Sequence, residues 1–234
     1  MIEDCTAIIL AGGDSQRMGS DKANLLLGEQ TLLRRVIAAM RQVFPHVIIS
    51  VRQPRSEIDL PQVCDEQSGG GPLAGLAAGL GHIATPWAFV VACDMPFVEP
   101  AMVELLAGYR SKPPSVPPCQ GGSGFSSPGS PPDKGAGGLG RPGGVRCQAV
   151  VPVVHGHPQP LAAFYAGSSL GKLRAHLAGG GKNSLRAVLE QLQVRYVDEQ
   201  ELLQADPLLR SFFDLDTPQD VATAKKEFAD RTGR

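Results

Sequence analysis

Positions 10 to 22 read Leu10-Ala11-Gly12-Gly13-Asp14-Ser15-Gln16-Arg17-Met18-Gly19-Ser20-Asp21-Lys22. Three small residues in a row let backbone N–H groups approach a phosphate closely. Arg17 and Lys22 add positive charge that could hold a triphosphate and steady a departing pyrophosphate. A plain turn with solvated cations is the competing reading. It suits the glycines alone better than it suits glycines, Arg17 and Lys22 together beside a buried strand. The spacing is neither that of a Walker A loop nor that of the dinucleotide fingerprint. Further along, Cys93-Asp94-Met95-Pro96 closes an apolar run. The Asp94 carboxylate there could ligate Mg²⁺, which prefers oxygen donors and takes one or two carboxylates plus substrate phosphates. A helix-capping aspartate is the alternative, and the phosphate loop upstream favours the metal ligand.

Other reactive side chains are read more plainly. Ser15 and Ser20 have no His–Asp partner pattern for nucleophilic catalysis. His155 and His157 lack a third ligand at metal spacing and read as solvated histidines. Trp87 and Met18 read as packing, and Cys93 as a small buried hydrophobe.

These residues need elements to position them. Thr6–Leu10 is a continuous β-branched and apolar run broken by Ala11-Gly12-Gly13, which predicts a buried parallel strand running into a glycine turn. Thr31–Phe44 carries Leu32, Leu33, Val36, Ile37, Met40 and Phe44 on one helical face, and Pro45 stops it. Val47–Val51 and Trp87–Ala92 predict further strands, with helices over Pro72–His82 and Pro100–Tyr109. Strand and helix alternate as in a doubly wound α/β sheet. From Ser111 to Val145 most residues are Gly, Pro or Ser, a composition that cannot offset its ordering entropy, so this stretch is expected to be a disordered insert in a single domain over 1–234. Order is expected again over the strand Cys147–Val154, the helices Ser168–Ala178 and Lys182–Leu192, and the strand Val194–Val197. A last helix starts at Thr217-Pro218-Gln219-Asp220, with Thr at the cap and Pro at the first position.

Whole-chain properties narrow the classes. Of 234 residues, 42% are hydrophobic, enough for a sizeable core, and the formal net charge of -1 with no long basic run argues against nucleic acid as the main partner. Five cysteines with no CxxC pair argue against a disulfide framework or a structural zinc site. No membrane span or signal segment is read, so a cytoplasmic protein is expected.

The segment LAGGDSQRMGSDK resembles the LAGGxSxRMGxDK signature of molybdenum cofactor guanylyltransferases, the MobA-like nucleotidyltransferases. The resemblance extends to Gly71-Pro72-Leu73-Ala74-Gly75, Cys93-Asp94-Met95-Pro96, Gln159-Pro160-Leu161 and Phe213–Asp220, in the expected order. It implies a Rossmann-like α/β fold of the nucleotide-diphospho-sugar transferase type that binds GTP and Mg²⁺. By that resemblance Leu10, Ala11, Gly12 and Gly13 contact the nucleotide through backbone. Lys22, Ser50 and Asp65 lie at GTP, and Asp94 is the metal ligand; Arg17, Lys22 and Asp94 carry the chemistry. Ser50 stands where the family usually has Asn and reaches less far. Pro160, Leu161 and Asp216 fall on the pterin side. The family tends to read N-x-N-T-P-E-D where this chain has Asp214-Leu215-Asp216-Thr217-Pro218-Gln219-Asp220, so two amides have become acids. Those acids either add a second metal ligand near Asp94 or cap the last helix.

The implied reaction moves GMP from GTP to molybdenum-loaded molybdopterin and releases pyrophosphate. Implied partners are these small molecules, other molybdenum cofactor proteins and apo-molybdoenzymes. The alternatives are a molybdopterin cytidylyltransferase, which the Gly12-Gly13 pair disfavours, another nucleotidyltransferase of the superfamily, which would lack GPLAG followed by CDMP, and a non-catalytic carrier of the pterin cofactor, which has no use for a triphosphate loop.

Overall fold

The computed structural model describes residues 1–12, 22–65, 71–115, 146–179 and 184–232. In chain order the elements are β1 (Cys5–Leu10), a small hairpin of β2 (Leu26–Leu27) and β3 (Gln30–Thr31), α1 (Leu32–Val43), β4 (His46–Val51), β5 (Gln62–Cys64), α2 (Gly71–Leu80), β6 (Trp87–Ala92) and α3 (Pro100–Ala107). After these come β7 (Ala149–Val154), β8 (His157–Pro158), β9 (Ala162–Ala166), α4 (Leu170–Ala178), α5 (Leu185–Leu189), β10 (Val194–Val197), α6 (Glu199–Leu202) and α7 (Pro218–Thr232).

The central sheet runs β10-β7-β9-β6-β1-β4-β5, with β8 paired to β7 off this path. Neighbours along the path are parallel except where β9 meets β6 and β7. β1 is fully buried along its length because helices cover both faces of the sheet. Its alternation divides two cores. Ala7 and Ile9 pack with Val36, Met40 and Met102 of α1 and α3. Ile8 and Leu10 pack with Leu73 and Leu76 of α2 and Val188 of α5. Phe44, Phe89 and Phe164 anchor the first core, with ring centroids 5.8 Å apart for Phe44–Phe89 and 4.9 Å for Phe89–Phe164.

The sheet places α2 tightly against β1 because α2 presents glycines to it. A Cβ on Gly79 would stand 2.8 Å from Ile8 Cγ2 and 2.9 Å from Ile8 Cδ1, and one on Gly75 would stand 2.8 Å from Ser50 Oγ. Ile8 is fully buried and has no room to retreat. Gly79→Leu is therefore expected to destabilise the fold by about 1–3 kcal/mol through overpacking, read as a lower urea midpoint with unchanged m-value. An unchanged midpoint would show that α2 can lift from β1 at no cost.

The structure adds one strand and shortens one expected insert. The Ala-rich stretch Ala162–Ala166 is a strand, β9, fully buried between β6 and β7. And Ser111–Ser115 belongs to the described structure: the Ser115 N–H donates to the Val194 carbonyl at 2.9 Å, and Ser115 Oγ accepts from the Tyr196 N–H at 2.8 Å. A serine here satisfies groups along β10, which ends the sheet. The rest of the Gly/Pro/Ser stretch, residues 116–145, lies outside the described residues, as does part of the helix expected over Lys182–Leu192.

Candidate active site

The strand order creates one crevice by itself. From β1 the chain moves out through β4 and β5, then returns to the other side of β1 with β6. At such a reversal the connections leave in opposite directions, and a cleft opens beyond the carboxyl ends of the two strands. Backbone bonds hold its floor: the Ala11 N–H donates to the Ser50 carbonyl at 2.8 Å and the Cys93 N–H to the Leu10 carbonyl at 3.0 Å. Leu10, Ala11 and Gly12 leave β1 here, and Cys93 and Asp94 leave β6.

The cleft gathers most of the residues singled out from the sequence: Leu10, Ala11, Gly12, Lys22, Ser50, Asp65, Asp94 and Leu161 all line it. Gly13 and Arg17 lie outside the described residues. Pro160 does not line it; its carbonyl accepts a bond from the Tyr165 hydroxyl at 2.9 Å. The expectation that Ala11 offers its N–H to a ligand does not hold in this arrangement, because that N–H is used in the sheet. Ser50 is only 2% exposed, with its hydroxyl packed beneath Gly75, so its reach into the cleft is short.

Gly71 and Pro72 bring the N-terminus of α2 to the same cleft. Its unpaired N–H groups and dipole favour a negative ligand there, and Pro72 in the first turn costs no bond because it has no N–H to leave unpaired. Gly71 has φ of 57°, a left-handed conformation suited to glycine. Across the cleft, the Asp65 N–H donates to the Val51 carbonyl at 3.3 Å, which sets the residue just past β5. Burial raises the Asp65 carboxyl above its ordinary range, with the Arg52 guanidinium pulling the other way.

The charged centre joins three distant parts of the chain. The Lys22 ammonium donates to Asp94 Oδ2 at 3.0 Å and to Asp216 Oδ1 at 2.6 Å. Burial alone lowers the Lys22 pKa, but the hydrogen bonds from Asp216 and Asp94 and their charges outweigh it, and the net shift is upward. The Leu215 N–H donates to the Asp94 carbonyl at 3.1 Å and fastens the acidic segment beside β6. Asp214 is exposed as a residue, yet desolvation of its carboxyl, then repulsion from Asp216 and from Asp94, push its pKa up.

The acidic segment lies directly before the cap of the last helix. The last helix is capped by a reciprocal pair: the Thr217 N–H and hydroxyl donate to Asp220 Oδ2, each at 2.7 Å, and the Asp220 N–H donates to Thr217 Oγ1 at 3.2 Å. The Asp216 N–H also donates to Asp220 Oδ2, at 3.2 Å, while its carboxylate faces Lys22. The contact with Lys22, 194 positions away in the chain, carries no signal in the sequence. No group of three or more His, Cys, Asp or Glu side chains forms a metal cluster among the described residues. The donor set near Asp94 is two carboxylates beside an open cleft. That suits Mg²⁺, which needs only one or two protein oxygens when phosphates complete its shell. His155 is exposed at the turn after β7, where its N–H donates to Glu199 at 2.7 Å, apart from this centre.

A doubly wound sheet with a switch-point cleft, a lysine, an aspartate and a helix N-terminus turned to one ligand position defines an α/β nucleotide-handling protein. The MobA-like NTP transferase domain matches residues 7–196. A "Probable molybdenum cofactor guanylyltransferase" of Chloroflexus aggregans is 34% identical over 226 residues, covering 92% of this chain and 91% of that one. A protein of the same name in Pelotomaculum thermopropionicum is 32% identical over 240 residues, covering 98% and 96%. The crystal structure of molybdopterin-guanine dinucleotide biosynthesis protein A from Archaeoglobus fulgidus matches with a TM-score of 0.74 at 24% identity, over 98% of this chain and 100% of that one, a likeness of fold. The chain belongs to the molybdenum cofactor guanylyltransferase family and is built on the MobA-like NTP transferase domain. Among the described residues no helix is long and apolar enough to cross a membrane.

Proposed function

We propose that this chain transfers GMP from GTP to molybdenum-loaded molybdopterin and releases pyrophosphate, yielding the guanine dinucleotide form of the cofactor. The observation that carries the reading is the meeting of Lys22 and Asp94 at 3.0 Å in the switch-point cleft, at the strand ends that the family match covers. A phosphate oxygen of the pterin attacks the α-phosphorus of GTP in line. A new P–O bond forms there, and the bond from the α-phosphorus to the bridging oxygen of pyrophosphate breaks. Such transfers need positioning and charge stabilisation more than covalent help from the protein. The attacking phosphate is already ionised near neutral pH, so no general base is required.

Each described residue has a task in this reading. The Gly12 N–H and the N-terminus of α2 receive phosphate oxygens. The Lys22 ammonium holds the triphosphate and stabilises the leaving pyrophosphate, and Arg17, which lies outside the described residues, is the second cation of this reading. Ser50 and Asp65 lie on the nucleotide side, and Leu161 on the pterin side. Asp94 would hold Mg²⁺, which when bound would offset the negative charge of the phosphates. Parallel assays of pyrophosphate release with GTP and with CTP test the nucleotide: release with GTP alone supports the reading, and release with CTP overturns it.

Residues 116–145 have no task in this reading. Deleting them, while keeping Ser115 for its bonds to β10 and bridging to Arg146 with a short glycine linker, is expected to leave kcat/KM within about twofold. Insertions far from a packed site are tolerated at little thermodynamic cost. A folded deletion variant without transferase activity would give the segment a functional part.

A further inference from the structure

Two carboxylates share Lys22, and they differ in kind. Asp94 has 18% side-chain exposure, Asp216 58%. Yet the exposed one makes the shorter bond, 2.6 Å against 3.0 Å. Asp216 is also presented by a fixed backbone. Its neighbour Leu215 is 1% exposed, packed with Leu27, Phe97 and Ala224, and the Asp216 N–H donates to Asp220 Oδ2 at 3.2 Å. An exposed ion pair of this kind adds little stability, and the helix cap is made by Thr217 and Asp220. The pairing is better explained by what it does to Lys22.

We infer that Asp216 is a positioning residue that competes with the nucleotide triphosphate for the Lys22 ammonium, and so sets nucleotide affinity. The inference rests on Lys22 being the triphosphate-binding cation of the proposed function. An ammonium has three N–H donors and no more. With two of them given to carboxylates, an arriving phosphate oxygen meets both an occupied donor and two negative neighbours. Asp216 is the partner that gives way, because water can replace the lost bond at an exposed carboxylate but less readily at Asp94. Asp216 thus holds the Lys22 ammonium beside Asp94 and yields it when phosphate enters. The family's amide at this position, inferred from the sequence resemblance, has no charge with which to compete.

The test is GTP binding measured by calorimetry in EDTA, with no divalent cation, on wild type, Asp216→Asn and Lys22→Met, each checked for an unchanged circular dichroism spectrum. Asp216→Asn keeps the shape and removes the charge, so it should fold. It is expected to bind GTP about fivefold more tightly, the scale of one charge pair at contact in a wet site. Because the competition acts at contact range, the gain should persist in 0.5 M NaCl, where charges beyond about 4 Å are screened. Unchanged or weaker binding by Asp216→Asn, or a gain that disappears in high salt, would overturn the inference. Lys22→Met is expected to weaken binding about tenfold. If it does so while Asp216→Asn changes nothing, the competition alone is lost; if Lys22→Met binds as wild type does, the phosphate role of Lys22 falls with it.

Discussion

Asp94→Ala is expected to lower the rate of GMP transfer on the order of a thousandfold while leaving the protein folded. The rate effect follows from its place. Asp94 leaves β6 at the switch-point cleft and shares Lys22 with Asp216. It is the less exposed carboxylate of the two, and in the proposed function it holds the metal that offsets phosphate charge. Removing one preorganised charge-stabilising group from a transfer site costs about a hundred- to a thousandfold in rate. The fold should tolerate the change, because Lys22 keeps Asp216 as a partner and the backbone bond from the Leu215 N–H to the Asp94 carbonyl does not need the side chain. Single-turnover transfer with saturating GTP and Mg²⁺, beside a thermal melt, measures both parts. A folded Asp94→Ala variant with near wild-type transfer would remove Asp94 from the chemistry.

Lys22→Met is expected to do broader damage, to both catalysis and stability. Without the ammonium, Asp94 and Asp216 face each other with Asp214 close enough to feel both, and like charges at short range repel. The expected kinetic result is a rise in KM for GTP of about tenfold together with a fall in kcat of about a hundredfold, since the same cation serves ground state and leaving group. The stability result has a defined pH dependence. The folded-state pKa of Lys22 is raised above the ordinary 10.5. A group raised on folding contributes stability that is fully present below its unfolded pKa and is lost as pH rises through the folded value. The Tm gap between wild type and Lys22→Met should therefore be steady from pH 6 to pH 9 and close only above the ordinary lysine range. It should also narrow in acid, where protonation of the carboxylates relieves the variant's repulsion. A gap that closes between pH 7 and pH 9 would contradict the assignment.

The strands that hold this site were legible where burial on both faces writes a continuous apolar run. Trp87–Ala92 and Val194–Val197 are observed with the boundaries read from sequence, and Thr6–Leu10 gains only Cys5. The helix over Thr31–Phe44 is shortened to Leu32–Val43, because Thr31 is the cap: its hydroxyl accepts from the Arg34 N–H at 3.3 Å. β9 was missed for a physical reason. Ala-Ala-Phe-Tyr-Ala has neither the β-branched content nor the alternation of a strand, and its place in the sheet comes from neighbours on both sides. Small residues are useful there, since α3 and α4 must close over it.

The site was legible in part. Glycines, Lys22 and Asp94 announce themselves by type and by their position after strands. Ser50 and Asp65 were reached through the resemblance, and the cleft does bring them to its wall. What single-chain reading could not supply was the pairing of Asp216 with Lys22, a contact created by α7 packing on the hairpin through Leu27, Leu215 and Ala224. The cap at Thr217 was legible, and the structure adds its reciprocal partner Asp220; nothing local in Asp214-Leu215-Asp216 points to Lys22. The used N–H of Ala11 belongs to the same class of fact, because only the register of β1 against β4 shows that Ser50 takes it.

The reaction itself is measured directly as pyrophosphate release by purified protein with Mg²⁺ and molybdenum-loaded molybdopterin, run in parallel with GTP and with CTP. Release with GTP at least a hundredfold faster than with CTP, and none without the pterin, is the predicted result. Release that favours CTP, or none with either nucleotide from folded protein that still binds the pterin, would contradict the account.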